Sequence, residues 1–313
     1  MVMRRRIYVF VLFVGLLSGR SLNAQSEQIV QMDTLNVRDV LYHLAGGGGN
    51  GLALIDEING GVILIDSKLP GWGQAVEEVL AQVTDLPVTT IINSHYHPGH
   101  AGSNGEFEEV EQIIAHENTR ESMLRTGSYR EGASGLPTST FRDRYTLLDD
   151  LDRVELYHFG RAHTDGDIVV VFPEKGVAYL GDLFPDKAVP AIDFEYGGSA
   201  KDFPATLAKI VSGIDGVTRV ITGHGPFPTT YAGRGRRARG ADRPWSGFMT
   251  WSDLAEYSDF IRELVAEAEE AFGTGQTVGE TVAGLTIGDR YVDYDLAAAE
   301  AMVTVLFREL ASQ

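Results

Sequence analysis

The chain has 313 residues, of which 43% are hydrophobic, so it can bury the core of one large α/β domain with appendages or of two small domains. Its formal net charge of −18 argues against broad binding to nucleic acid. Because the chain contains no cysteine, disulfides and thiolate ligands are excluded, and any metal site must use histidine and carboxylate side chains.

The first residues have the pattern of a signal peptide, which we predict over residues 1–24. Three arginines, Arg4 to Arg6, precede an apolar stretch over residues 7–17 that is too short to span a bilayer comfortably. A cut after Ala24 would remove four arginines and no acid, and would take the net charge from −18 to −22. We therefore predict export to the periplasm or the medium, without stable membrane insertion after cleavage. An uncleaved N-terminal anchor is the alternative.

Strand and helix patterns alternate along the first half of the chain. Apolar, β-branched runs predict strands, and apolar residues at helical spacing predict helices. The predicted strands are residues 37–44, 52–55, 62–65, 88–92 and 113–115, and the predicted helices are residues 73–83 and 117–124. The glycine-rich stretch 45–51 lacks the spacing of a phosphate-binding loop. It is either a flexible loop that borders a site or a simple turn.

The second half begins again with strands, predicted at residues 153–159, 168–172, 176–180 and 217–221, with a helix over 200–212. Two such halves predict a sandwich of two sheets with helices outside. Residues 126–143 have few apolar anchors and are either a lid or an idle insertion. Two amphipathic helices, predicted over 253–271 and 295–310, would pack on the sandwich.

Three histidines, His95, His97 and His100, follow the strand 88–92. In an extended segment His95 and His97 point the same way, because side chains alternate between faces. A turn at Pro98-Gly99 can bring His100 into the same space. Neutral imidazole is a good ligand for zinc and similar ions, so the triplet predicts a metal site. The alternative is a surface loop that happens to be rich in histidine.

Three further metal-capable residues lie at the ends of predicted strands. His163 comes just before the strand 168–172, Asp182 just after 176–180, and His224 just after 217–221. Glycines near each one allow the backbone to turn sharply. Loops at one edge of a sheet are where sites are built, so these residues extend the predicted metal site.

With these residues the chain resembles the metallo-β-lactamase-fold hydrolase superfamily. That family's motif is His-x-His-x-Asp-His, followed by a lone His, a lone Asp and a last His, and preceded by an Asp at the end of an early strand. The corresponding positions here are His95, His97, Gly99, His100, His163, Asp182, His224 and Asp66, within residues 35–226. The resemblance implies a four-layer αββα sandwich with the metals at one edge. We assign it to residues 25–230, and residues 231–313 to a basic loop and a C-terminal helical extension.

The resemblance also implies roles for single residues. The implied ligands are His95, His97 and His163 for a first zinc and His100 and His224 for a second, with Asp182 bridging the two. Asp182 and His100 would be the residues closest to catalysis, in which zinc lowers the pKa of its bound water and supplies hydroxide. Asp66 would orient a ligand imidazole, and Asp167 would support the site. A cap at a strand end or a turn is the alternative for both.

Gly99 departs from the family pattern, because the motif has a metal-binding Asp at this position. The second metal would then keep three protein ligands, and water or another carboxylate would have to complete its shell. Three outcomes stay open. The site is binuclear with a labile second metal, mononuclear at the three histidines, or degenerate, with metal bound and little turnover.

The remaining signals are weaker. His116 is predicted to be a core or capping residue, and His43 and His158 to be core residues. A basic run holds Arg234, Arg236, Arg237, Arg239 and Arg243. It either draws an anionic substrate to the metals or is a solvated or partner-binding patch. Three aromatic residues, Trp245, Phe248 and Trp251, either line the substrate pocket or pack against the C-terminal helices.

Together these features predict an exported zinc hydrolase, with one or two ions, that acts on a lactam, lactone, ester or related bond of a small molecule. Other divalent metals fit the same ligands. The alternative is a metal- or ligand-binding protein with little or no activity, because Gly99 replaces the usual Asp. Reduction of oxygen or nitric oxide at a di-iron site is disfavoured, since those relatives use a ligand set richer in carboxylates.

Overall fold

The computed structural model describes residues 31–34, 40–148, 151–225 and 249–312, and the predicted signal peptide lies outside them. Within these ranges the first sheet has seven strands, which follow one another in space as they do along the chain. They are β1 Gln31–Thr34, β2 Leu41–Ala45, β3 Gly51–Asp56, β4 Gly61–Ile65, β5 Val88–Ile92, β6 Gln112–His116 and β7 Ser139–Phe141. Neighbouring strands from β1 to β4 are antiparallel, and those from β4 to β7 are parallel.

Within the same described ranges the second sheet has five strands, in the order β12-β11-β10-β9-β8. They are β8 Arg144–Leu147, β9 Val154–Tyr157, β10 Val169–Phe172, β11 Val177–Tyr179 and β12 Arg219–Ile221. All neighbouring pairs are antiparallel except β11 and β12. The parallel pair places the ends of β11 and β12 at the same edge, where Asp182 and His224 follow.

Eight α-helices connect or cover the sheets in the described ranges. They are α1 Gly73–Leu80, α2 Pro98–Ala101, α3 Glu117–Arg125, α4 Phe203–Gly213, α5 Trp251–Gly273, α6 Val278–Gly284, α7 Ile287–Arg290 and α8 Ala299–Ala311. α1 packs on the outer face of the first sheet. α4, α5 and α8 pack on the outer face of the second. No helix of the described residues combines the length and apolar character needed to cross a membrane.

Successive side chains of a strand point to opposite faces of its sheet, and this alternation produces the layers of sheets and helices. In β4, Ile63 and Ile65 face the second sheet, whereas Val62 and Leu64 face α1. In β10, the residues within 169–172 divide in the same way between the inner core and the outer helices. A strand buried on both faces needs apolar residues at every position, which explains the unbroken apolar runs in the sequence. The predicted αββα sandwich with a C-terminal helical part is confirmed.

The segment predicted as one long loop over 126–143 is only partly a loop, since its end forms β7 at the edge of the first sheet. Two residues of the remaining part of the segment pack on the sandwich. Leu136 is buried against Tyr96 and Ala101, and the Tyr129 hydroxyl donates to the Ala101 carbonyl at 2.7 Å. The segment therefore packs on α2, at the edge of the sandwich that carries the histidine triplet.

The last helix begins later than the predicted range 295–310, because Asp295 is part of a short bridge. Its N–H donates to the Lys187 carbonyl at 2.9 Å, and its own carbonyl accepts from Val189 at 2.9 Å. These bonds attach the C-terminal part to the segment that follows Asp182. The bridge competes with helix formation at this point, and α8 starts at Ala299.

Candidate metal centre

Strand ends bring the metal-capable side chains to one edge of the sandwich. His95 and His97 follow β5, and His163 precedes β10. Asp182 lies in a single 3-10 turn after β11, and His224 follows β12. Gly181, which precedes Asp182, has φ 51°, in the left-handed region that glycine adopts without strain. The edge thus combines residues that are far apart in the sequence.

The first group contains His95, His97, His163 and Asp182, and these residues could hold one metal ion. His163 Nε2 lies 2.9 Å from His97 Nδ1. Asp182 Oδ2 lies 3.8 Å from His95 Nε2 and 3.6 Å from His163 Nε2. All four ligand atoms lie within 4.8 Å of one another, a spacing that suits a single cation between them.

The second group contains His100, His224 and Asp182, which could hold another ion. Asp182 Oδ1 lies 3.4 Å from His100 Nε2 and 3.3 Å from His224 Nε2. The two imidazole Nε2 atoms are 3.4 Å apart. Asp182 therefore presents one oxygen to each group, which is the arrangement of a bridging carboxylate.

Two buried atoms without hydrogen bonds indicate that the side chains of the centre fit a divalent cation. His95 Nε2 and Asp182 Oδ1 are both buried, and neither has a hydrogen-bond partner among the described residues. An unpaired buried polar atom costs about 1–3 kcal/mol, and more when it is charged. A cation bound between the imidazoles and the carboxylate would satisfy both atoms at once.

Burial and neighbouring charges set the ionisation of the site. Burial, together with the neighbouring His100, holds the pKa of His95 well below its ordinary value. Burial and His163 also lower the pKa of His97. For Asp182 burial opposes ionisation, but His100 and His224 outweigh it and hold its pKa well below the ordinary value. Neutral His95 and His97 beside an ionised Asp182 are the forms that bind a metal. Burial opposes protonation of His100, but Asp182 and Asp66 outweigh it and raise the pKa of His100 to about 10, so His100 would lose a proton when it binds a metal.

Asp66 lies behind the second group, at the end of β4. Its Oδ2 is 2.7 Å from His100 Nδ1, so the other ring nitrogen of His100 faces the centre. The Asp66 carboxylate also accepts from the Ser94 N–H and hydroxyl, each at 2.7 Å, and from the Tyr179 hydroxyl at 2.6 Å. Asp66 has φ 62°, a conformation that is uncommon for a residue other than glycine, and this network holds it there.

Asp167 lies further from the centre. Its two carboxylate oxygens accept from the Thr164 N–H at 2.6 Å and from the Thr164 hydroxyl at 2.8 Å. Asp167 thus caps a turn, which is the alternative role that the sequence allowed for it. The cap shapes the turn that carries His163, whose Nδ1 is 2.7 Å from the Ala191 carbonyl.

Asp193 is a functional candidate that sequence reasoning missed. Its Oδ2 lies 2.8 Å from His97 Nε2, and it also accepts from the Tyr96 hydroxyl. The stretch around Asp193 has no recognisable motif, and its partners lie in the histidine triplet far upstream. Only a search in space for a carboxylate behind each imidazole could have found it.

The glycine-rich stretch borders the site, which was one of the two interpretations of its sequence. A Cβ on Gly49 would lie 2.2 Å from His100 Cε1, so no other residue fits against this ring. The Gly49 N–H donates to the Gly99 carbonyl at 3.1 Å. A Cβ on Gly99 itself would meet only Gly49 N at 3.5 Å and Gly48 Cα at 4.0 Å, which are ordinary contacts.

Among the described residues, no other acid fills the position of the missing motif carboxylate. Within the described part of the chain, no further His, Asp or Glu joins either metal-capable group.

Two of the three other predicted core histidines form a pair away from the centre. His116 caps α3, where its Nδ1 accepts from the Asn118 N–H at 3.2 Å, and it stacks on His158 at 3.9 Å. His43 is buried in β2.

The basic run with its five arginines, together with Trp245 and Phe248, lies outside the described residues. Trp251 is the first residue of α5. Its indole N–H donates to the Val211 carbonyl of α4 at 3.4 Å. Trp251 therefore contacts α4 from its place at the start of a C-terminal helix.

Comparison with known proteins agrees with the architecture. The family profile described as the Metallo-beta-lactamase superfamily matches residues 46–235. The crystal structure of DIM-1 metallo-beta-lactamase superposes with a TM-score of 0.57 at 14% identity, over 74% of this chain and 97% of that one. A metallo-beta-lactamase from Pontibacter korlensis gives a TM-score of 0.55 at 18% identity, over 74% of this chain and 99% of that one. At these identities the structures show a shared fold.

Curated relatives add sequence similarity. The chain is 30% identical over 154 residues to the 2,4-dinitroanisole O-demethylase subunit alpha of Nocardioides sp. (strain JS1661), a match of 48% of this chain and 46% of that protein. The chain thus spans less than half the length of that relative. It is 25% identical over 185 residues to the metallo-beta-lactamase type 2 of Bacteroides fragilis, a match of 58% of this chain and 70% of that protein.

Proposed function

The chain belongs to the metallo-beta-lactamase superfamily, and we propose that it is an exported zinc-dependent hydrolase that cleaves a lactam, lactone, ester or related bond in a small molecule. Superfamily membership itself supports metal-dependent hydrolysis. Zinc is the ion that we propose, because the ligands are mainly imidazoles with one carboxylate and no thiolate.

The observation that carries the proposal is the pair of ligand groups that share Asp182. One ion would bind to His95, His97 and His163, and a second to His100 and His224, with one oxygen of Asp182 directed to each. Bound zinc lowers the pKa of a coordinated water to about 7 and polarises the bond under attack. The second ion would be held more weakly, because the site has Gly99 where the motif has an acid.

The chain's own residues set the direction of approach. The side chains of His97 and His224 are 28% and 47% exposed, whereas those of His95 and His100 are almost completely buried. A substrate would therefore reach the centre from the side of His97 and His224. Asp193 and Asp66 bind the outer nitrogens of His97 and His100, which keeps the inner nitrogens free for the metals.

The first experiment is to measure metal content and activity in the same preparation, purified without chelator. Two zinc ions per chain would support the proposed centre. The activity panel is a chromogenic β-lactam, a γ-lactone, a nitrophenyl ester and 2,4-dinitroanisole, the last because of the relative's name. We expect turnover of at least one substrate, loss of that turnover in His95→Ala, and wild-type turnover in the surface control Asp259→Asn.

A second candidate function is binding without turnover, and Gly99 is the observation that favours it. Metal uptake with no activity across the panel, and substrate-analogue binding that His95→Ala removes, would support this alternative. No metal uptake after zinc is added would contradict the proposed hydrolase and favour the non-catalytic alternative.

Export is a separate part of the proposal, supported by the basic and apolar pattern of residues 1–24. We expect the mature protein in the exported fraction of a bacterial host to begin at Gln25. Intact-mass measurement checks this, and an unprocessed chain retained in the cytoplasm would contradict it.

A further inference from the structure

Asn50 connects the glycine-rich loop to the loop that carries His224. Its backbone N–H donates to the Gly223 carbonyl at 2.7 Å. Its side-chain Nδ2 donates to the Thr222 carbonyl at 2.9 Å and to the His224 carbonyl at 3.1 Å. One residue thus holds three consecutive carbonyls of a loop more than 170 positions away.

The glycine-rich loop is itself held in place from the other side. Lys68 is completely buried, and its Nζ donates to the Leu44 and Gly49 carbonyls, each at 2.7 Å. The Gly49 N–H donates to the Gly99 carbonyl at 3.1 Å, next to His100. The loop therefore joins the backbone around His100 to the backbone around His224.

His224 needs such support more than the other ligand candidates. The outer nitrogens of His97 and His100 bind Asp193 and Asp66, and that of His163 lies 2.7 Å from a backbone carbonyl. For His224 the structure gives no comparable hydrogen bond to the outer ring nitrogen within the described residues. Its direction then depends on how its backbone is held. The N–H groups of Gly223 and His224 donate to the Phe184 and Pro185 carbonyls at 3.1 and 2.8 Å, and Asn50 holds the carbonyls of the same loop.

We propose that Asn50 is the positioning residue of the second metal site. Through the carbonyls of Thr222, Gly223 and His224, it would keep the His224 ring directed at Asp182 and His100. This inference rests on the proposed function, because it assigns a role within the second site. Residues that orient metal ligands typically change metal affinity about 10–100-fold when they are substituted.

The test uses the mature full-length chain with Asn50→Asp, which keeps the shape but replaces the donating Nδ2 with an oxygen. Asn59→Ala is the matched control, since Asn59 lies at the other end of β3, in the turn before β4, and its side chain binds Asp56 there. Metal-free protein is titrated with zinc against a chromophoric chelator, and with cobalt(II) to record the spectrum of each site.

We expect wild type and Asn59→Ala to bind two ions in separable steps. Asn50→Asp should bind the first ion normally and the second about 10–100-fold more weakly, with an altered cobalt spectrum for the second step. If circular dichroism shows that Asn50→Asp does not fold, the same titrations are made with Asn50→Ser and Asn50→Ala.

Three results would overturn the inference. If the variant binds both ions as wild type does, Asn50 does not position the site, while the proposed centre stands. If both ions bind more weakly by the same factor, Asn50 acts on the whole fold and not on the second site. If wild type binds one ion only, the proposed second site fails, and the inference fails with it.

Discussion

The outer ring nitrogen of His97, Nε2, lies 2.8 Å from Oδ2 of Asp193, a residue 96 positions further along the chain. This contact leaves His97 Nδ1 to face His163 and the first ligand group. Burial opposes ionisation of Asp193, but hydrogen bonds from Tyr96 and His97 outweigh it and hold the pKa of this carboxyl below its ordinary value. An ionised Asp193 thus fixes which nitrogen of His97 is available to a metal.

Asp193→Asn should weaken the first metal by about 10–100-fold, because it removes the charge that orients and polarises the His97 ring. The dissociation constant of the first zinc, measured by competition with a chelator, checks this. Asp202→Asn is the control, since Asp202 is half exposed in an ion pair with Arg161. Equal affinities in Asp193→Asn and wild type would show that Asp193 is not required for the ligand geometry.

Gly99→Asp should raise the affinity for the second ion by about tenfold or more. Substitution of a residue that only supports a metal ligand already changes metal affinity by about 10–100-fold. The substitution restores the motif's acid, and its Cβ would make only ordinary contacts with the glycine-rich loop. Stepwise zinc titration measures the change. Gly99→Ala adds the Cβ without the carboxylate, so it should leave both affinities unchanged. A similar gain in both variants would mean that the effect comes from the backbone and not from the new ligand.

His116 should make the protein less stable in acid. Burial and the adjacent His158 lower the pKa of His116 from 6.5 to about 4. The unfolded chain then binds more protons than the folded one between these values. The stability from the neutral ring is fully present above pH 6.5 and is lost as the pH falls towards 4.

His116→Asn tests this effect, because asparagine can still cap α3 but does not titrate in this range. The decline in melting temperature between pH 6.5 and 4 should be less steep in the variant than in wild type. Parallel curves for the two proteins would assign the acid sensitivity to other groups.

Tyr179→Phe should lower the free energy of unfolding of the metal-free protein by about 1.5–3 kcal/mol, the value of a buried hydrogen bond to a charged group. The Tyr179 hydroxyl is completely buried and donates to Asp66 at 2.6 Å. Urea denaturation measures the change. Tyr145→Phe, on the half-buried strand β8, is the control and should cost much less. Equal costs for the two variants would exclude a special contribution from the bond to Asp66.

Much of the fold could be predicted from local patterns. The apolar runs of β4, β5 and β10 and the helical spacing of α1 and α5 each specify an element through short-range sterics and burial. The sequence did not predict β1, β8 or α6. Two further errors lie where a tertiary contact overrides the local pattern. Ser139–Phe141 forms a strand because it pairs with β6, and α8 starts late because Asp295 pairs with the segment around Ala188.

The sequence by itself indicated which residues could bind a metal. Residue type and a place at a strand end single out the histidine triplet, His163, Asp182 and His224. Tertiary structure alone decided their partners. Asp193 lies behind His97, and Asn50 holds the loop of His224, through hydrogen bonds between segments far apart in the chain. A hydrogen bond depends on distances and angles in space, and no spacing along the chain encodes such geometry until the two sheets have packed.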